Sequence, residues 1–241
     1  SDVYKRQGAI GLKAYHLVSA EEEKRVPDFE DLYIDIGATD RADAERVTAL
    51  GDLAAFESDA VEFGSGMLKA KALDDRVGCA VMLKLIEEEL PMDCTFVFSV
   101  QEEVGTRGAF GAAFSVTPEI ALVLEGTTAA DLPGTDEHRR VAILGKGPVL
   151  SFMDNGTIYD RTLFEQLREL AEEHNIPWQT KNYISGGNDS SAIQRTKEGV
   201  RVAAVSTPVR YLHAPSSVIC CQDFNYVHTL VKHFIEALAA S

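Results

Sequence analysis

The chain has 241 residues and a formal net charge of -15, from 38 acidic and 23 basic side chains. With 45% apolar and 25% charged residues it has the composition of a soluble globular protein, long enough for one large domain or for a domain plus a smaller module. No Lys/Arg run stands out, no apolar run approaches the ~20 residues of a membrane span, and SDVYKRQGAIG lacks a signal-peptide core, so nucleic acid and membrane are not expected partners.

The first seventy residues read as a small β-rich module. SAEEEKRV begins with Ser19 and carries Glu22 three residues on, the spacing of a capping box at a helix start. LYIDIGA (32–38), LAAFES (53–58) and AVEFGSGMLKAKAL (60–73) are short strand-like pieces between charged or glycine-containing turns. Between the first two, ATDRADAERVTAL reads as a short helix capped by Thr39 or Asp40.

From Leu73 onward strands alternate with helices. The spacing predicts a helix over 76–90, closed by Pro91, and then CTFVFSV (94–100), apolar throughout and therefore a strand buried on both faces. IALVLEG (120–126) is a second such strand, and VAILGKGPVLSFM (141–153) holds one or two more. A helix follows over 159–175, a buried strand over 201–207, and a last helix over 223–240 with Asp223 as its cap. This order predicts an α/β fold: a mixed sheet covered by helices, with the β-rich module of residues 1–70 beside a domain of residues 71–241. The four cysteines include no CxxC pair, which fits reduced thiols in a cytoplasmic protein and gives no cysteine zinc site.

Ligands in α/β sheets bind beyond the carboxyl ends of the strands. Those positions hold Asp74 and Asp75, then Glu102 and Glu103, then Glu125, and finally His213. GxGxxG, P-loop and GxSxG spacings are absent, which excludes a phosphate cradle and a serine nucleophile elbow. Carboxylates converging with an imidazole repel one another unless a cation joins them, and oxygen plus nitrogen donors suit Zn²⁺, Co²⁺ or Mn²⁺. Alternation at a strand end would send Glu102 and Glu103 in opposite directions. ISGGNDSSAI (184–193) adds a glycine loop with Asp189 as a candidate helix cap. Lys146, Asp154 and Arg210 read chiefly as exposed ion-pair partners, and His138, His174, His228 and His233 as surface residues.

KALDDRVGCAVML, VFSVQEEVGTRGA, ALVLEGTTAADLPG, SFMDNGTIYD, ISGGNDSSAI and RYLHAPSSV occur in an order that resembles the tetrahedral (glutamyl or deblocking) aminopeptidases, from about residue 8 to the C-terminus. The resemblance implies a zinc-exopeptidase sheet with a small inserted barrel-like domain, peptide substrates, two divalent metal ions (zinc or cobalt, with manganese as a further option) and a tetrahedral homo-dodecamer. Asp74 would bridge the metals, next to a cis Asp74–Asp75 peptide. Glu103, His213 and Glu125 would be terminal ligands. Glu102 would be the general base, taking a proton from the bridging water and passing it to the leaving amine. Asp75, Gly186, Gly187 and Asp189 would stand behind the ligands or against substrate.

The chain departs from that pattern in one respect: the family has an upstream histidine ligand in an HxD motif, and no HxD occurs here. SDVYKRQ also matches nothing in the family. The expectation is an N-terminally truncated aminopeptidase, one ligand short, with a non-catalytic fragment or assembly subunit as the competing reading. Another metallohydrolase of the clan (a deacylase, a carboxypeptidase or a glucanase) is the third.

Overall fold

In the computed structural model, which describes residues 6–240, the backbone divides into two units, Ser1–Ala55 and Phe56–Ser241. The expected foreign start at SDVYKRQ falls mostly outside the described residues. In the first unit, β1 (Ala9–Gly11) pairs antiparallel with β2 (Tyr33–Asp35). The capping box forms, with Ser19 N donating to Glu22 Oε2 at 2.7 Å and Glu22 N to Ser19 Oγ at 3.2 Å. It closes only a 3₁₀ turn, Glu22–Lys24, because Pro27 bars helical continuation so soon after. Helix α1 (Arg41–Glu45) is capped by Asp40, whose side chain accepts from Asp43 N at 2.8 Å. Every described residue of this unit keeps substantial solvent exposure, and its sheet is a two-stranded ribbon rather than a closed barrel.

The division lies upstream of the expected one because strands of the 60–73 segment belong to the second unit. There β3 (Val61–Phe63) and β4 (Met67–Ala70) form a hairpin, and β4 pairs with β9 (Ser217–Cys220) from Met67↔Cys220 to Ala70↔Ser217. The main sheet is mixed, in the order β5 (Ile120–Thr128), β8 (Arg201–Val209), β6 (Val149–Leu150), β7 (Gln179–Thr180). β5 and β8 run parallel, β6 lies antiparallel to β8, and β6 and β7 are parallel. Five helices accompany it: α2 (Leu73–Ile86), α3 (Arg107–Val116), α4 (Arg161–Glu173), α5 (Ser190–Ile193) and α6 (Cys221–Ala239). Leu163, Leu167 and Ala171 recur at helical spacing on α4 and meet Val81 and Leu85 of α2, Leu230 and Phe234 of α6, and Leu150 and Val205 of the sheet. Each such side chain contributes roughly 1.5–3 kcal/mol by leaving water.

Several expectations change, among them LAAFES (53–58), which forms no strand. CTFVFSV (94–100) has no regular structure, joins no ladder among the described residues and is largely exposed. A strand needs a neighbouring backbone to satisfy its amides; the open edge of the main sheet, β5, and this segment both line one cavity of about 1560 Å³. α2 ends at Ile86, because Glu87, Glu88 and Glu89 oppose the negative end of the helix dipole and Pro91 restricts Leu90. In 141–153 the one strand is Val149–Leu150, with Met153 in an isolated bridge to Ile158, since Gly145 and Gly147 adopt positive φ. Asp223 does not cap α6 but sits fully buried in its first turn, accepting from Gly145 N at 2.7 Å and Gly147 N at 2.8 Å.

Candidate metal centre

The link from β4 into α2 sets the first carboxylates. Ala72 is left-handed, the Asp74–Asp75 peptide is cis, and both aspartates have non-helical dihedrals before the helix proper begins. Asp75 Oδ1 then accepts from Gly78 N at 3.0 Å, so Asp75 acts as a local cap behind Asp74. Gly78 permits this: a Cβ there would stand 2.3 Å from Leu124 O of β5 and 2.6 Å from Asp75 Oδ2.

Glu102 and Glu103 are separated by a tight turn rather than by strand alternation. Gln101 is left-handed at φ 60°, and the Glu102 carbonyl accepts from Gly105 N at 3.0 Å and Thr106 N at 2.9 Å. His213, also left-handed, follows the end of β8. Its Nε2 lies 3.4 Å from Asp74 Oδ2 and 3.3 Å from Glu103 Oε2. One donor atom from each of these three residues lies within 4.8 Å of the other two. Four ligands at ~2.0–2.2 Å around zinc stand roughly 3.3–3.6 Å apart, so the imidazole and two carboxylates fit one face of a divalent-ion shell.

Electrostatics point the same way. Burial and the Glu103 charge raise the Asp74 carboxyl above its usual range, against the opposing pull of His213. Glu102 is pushed up to about 7 by burial and by the charges of Asp189, Glu103 and Asp74. Asp75 rises to about 8, chiefly by burial. Crowded acids that hold protons near neutral pH are the usual mark of a site built for a cation or for proton transfer.

Glu125 stands apart from the three-residue cluster. At the register position opposite Ser206, its Oε1 accepts from Asn188 Nδ2 at 2.8 Å and Ser206 Oγ at 3.0 Å. Burial raises it to about 7, while Lys181, Asn188 and Ser206 pull the other way. Gly186 is left-handed at φ 66°, and its carbonyl accepts from Asn155 N at 2.9 Å. Asp189 precedes α5 without a capping bond and instead accepts from Ser99 Oγ. Asp74, Glu102, Glu103, Glu125, Asp189 and His213 all line the cavity beside β5.

Several partners are not evident from sequence. Asn188 and Ser206 donate to Glu125 and Tyr159 holds Asn188, and only the neighbouring GG and Asp189 in ISGGNDSSAI hint at the first of them. Asp154 is buried rather than an exposed ion-pair partner, and Tyr159 Oη donates to it at 2.6 Å. Arg210 does form an ion pair, bidentate to Asp131 at 2.6 and 2.7 Å, whereas Lys146 is exposed. His138 is exposed, His174 stacks on His233 with ring centroids 3.6 Å apart, and His228 is largely buried, 2.9 Å from Glu88. All four cysteines are free thiols.

Residues 1–230 match the model of the M42 glutamyl aminopeptidase family. A protein of Acetivibrio thermocellus, provisionally assigned as an aminopeptidase, is 38% identical over 97% of this chain and 69% of its own length. The aminopeptidase APDkam598 of the archaeon Desulfurococcus kamchatkensis superposes with a TM-score of 0.89 at 37% identity, over 95% of this chain and 64% of that one. The TET1 peptidase of Pyrococcus horikoshii gives 0.81 at 32% identity, over 96% and 67%. The chain thus spans about two thirds of the length of these relatives. With a match across nearly its whole length, the chain belongs to the M42 glutamyl aminopeptidase family, a family of metal-dependent peptidases.

Proposed function

We propose that the chain is a metal-dependent aminopeptidase that removes N-terminal residues from peptides through a two-metal site with a glutamate base. The observation that carries this reading is the convergence of Asp74, Glu103 and His213, with Glu102 beside them and its carboxyl raised to about 7. Asp74, Glu103, His213 and Glu125 would hold the ions, with zinc, cobalt or manganese suited to their oxygen and nitrogen donors. A bound divalent ion supplies the positive charge that polarises the scissile carbonyl and relieves the carboxylate repulsion.

Glu102 does the proton work. A carboxylate poised near neutrality can take a proton from the water that attacks the carbonyl and then hand it to the departing amine. Asp189 keeps negative charge beside Glu102, and the left-handed Gly186 lets the loop backbone approach a bound peptide. The cluster of acids also suits the cationic α-amine of an unblocked N-terminus. Glu102→Gln is expected to retain metal while losing turnover of aminoacyl anilides. Wild-type hydrolysis rates in that variant would assign the base elsewhere.

By analogy with the Pyrococcus horikoshii TET1 peptidase, which can assemble into a tetrahedron or a large octahedral shell, we propose a large homo-oligomer for this chain. Free cysteines favour a reducing, cytoplasmic setting, and no helix among the described residues is long and apolar enough to cross a membrane.

A further inference from the structure

We infer that Asn188 is a positioning residue that aims the Glu125 carboxylate, and that Tyr159 and Asp154 hold Asn188 in turn. The inference rests on the metal-ligand reading of Glu125. Four buried or part-buried polar side chains form one directed chain. Asp154 Oδ1 accepts from the backbone N–H groups of Gly156 and Thr157, each at 2.8 Å, so its position is fixed by its own turn. Its Oδ2 accepts from Tyr159 Oη at 2.6 Å.

The directions follow from donor chemistry. Asp154 as a carboxylate can only accept, so the single phenol hydrogen of Tyr159 is spent on it. Burial, Glu125 and Asp154 all raise the phenol's pKa, so that hydrogen stays in place. The Tyr159 oxygen must then accept from Asn188 Nδ2, 2.9 Å away. Asn188 Oδ1 accepts from Ser190 N at 2.8 Å, which fixes the amide with its NH₂ group toward Tyr159 and Glu125. Its second hydrogen therefore goes to Glu125 Oε1, at 2.8 Å.

The end of this chain is specific. Asn188 and Ser206 both donate to Oε1 of Glu125, and Oε2 receives neither hydrogen bond. Two donors on one oxygen fix the rotation of the carboxylate and leave its second oxygen without either bond, in a residue that lines the cavity. Asn155, within the Asp154 turn, also donates to Gly186 O at 2.9 Å. One anchor thus sets both a candidate ligand and the glycine loop. Asn188, Tyr159 and Asp154 are 2%, 5% and 5% exposed, so water cannot replace a lost member cheaply.

The test uses the full chain and the variants Asn188→Ala and Tyr159→Phe. Zinc affinity is measured by competition with a chelator, and crystals of the metal-free variants are solved. The expected result is about 10- to 100-fold weaker binding of one ion in Asn188→Ala, and a smaller loss in Tyr159→Phe. In both crystals the Glu125 carboxylate is expected to rotate away from Ser206. A merely structural role would lower the melting temperature and leave zinc affinity unchanged. That result, or an unmoved Glu125 in both crystals, overturns the inference. Should the wild-type chain bind no zinc, the metal reading of Glu125 fails, and the rotation of its carboxylate alone decides the positioning role. If Asn188→Ala does not fold, Tyr159→Phe, which removes a single oxygen, carries the test.

Discussion

Ser99 Oγ donates to Asp189 Oδ2, so the apolar segment ahead of the paired glutamates is tied to the loop that follows Gly187. Across that tie Asp189 acts on Glu102, where its charge is the next cause after burial of the raised carboxyl.

Asp189→Asn keeps an oxygen for Ser99 but removes the negative charge. The Glu102 pKa then falls, and a base must be deprotonated to act, so the acidic limb of kcat/KM moves to lower pH. The profile is read on an aminoacyl anilide against wild type. An unmoved limb would mean that the group titrating in turnover does not sense Asp189.

Gly78→Ala forces a Cβ against Leu124 O and Asp75 Oδ2, at separations of 2.3 and 2.6 Å that no rotamer relieves. The expected cost is about 1–3 kcal/mol in urea unfolding, with weaker metal binding because Asp74 and Asp75 shift with the helix start. Gly111→Ala is the matched control: no atom lies within 4 Å of its Cβ site in α3, and it should be neutral or stabilising by up to about 1 kcal/mol. Equal losses in the two variants would remove close packing as the reason for Gly78.

Asp131→Asn breaks the bidentate pair with Arg210. Burial by itself would raise the Asp131 carboxyl, but the Arg210 guanidinium and the Leu144 N–H outweigh it and hold it below the usual value of 3.8. A depressed carboxyl stabilises the fold above its unfolded pKa, and that contribution is lost as pH falls below about 3.8 through the folded value. The variant should lose about 1–3 kcal/mol at pH 7 and show a flatter acid limb in stability. An equally steep limb would show that other acids govern it.

Divalent ions should raise the melting temperature of dialysed protein. A ligand that binds only the folded state stabilises by about 2.7 kcal/mol at one hundred times its dissociation constant. The rise should vanish with EDTA and shrink sharply in His213→Ala. An equal rise in that variant would locate the ion away from the Asp74, Glu103 and His213 cluster.

The candidate ligands were legible because an apolar run stopping at an acid is a local signal, although 94–100 forms no strand and Glu125 lies inside β5 rather than at its end. Asp74, Glu103 and His213 meet as that pattern suggests. Glu125 was found by the same rule, yet its partners were not: Asn188 lies 63 positions away and Ser206 81. Pairings of that range depend on the register of β5 against β8, which no local window contains. CTFVFSV misled for the opposite reason. Its composition is that of a buried strand, but strandness requires a neighbour, and neighbours are a tertiary property. Asp223 misled by position, since an acid near a helix start serves equally as a cap or as an anchor for two glycine amides.

The edge position of β5 has a consequence for handling the protein. Nine residues long and, among the described residues, paired on one side only, by β8, the strand offers a ready template to another extended backbone. Its sequence, IALVLEGTT, carries a single charged side chain, Glu125, so little along that edge repels a copy of itself. Concentrating the chain therefore favours edge-to-edge clumping, and dilution or mild denaturant disfavours it.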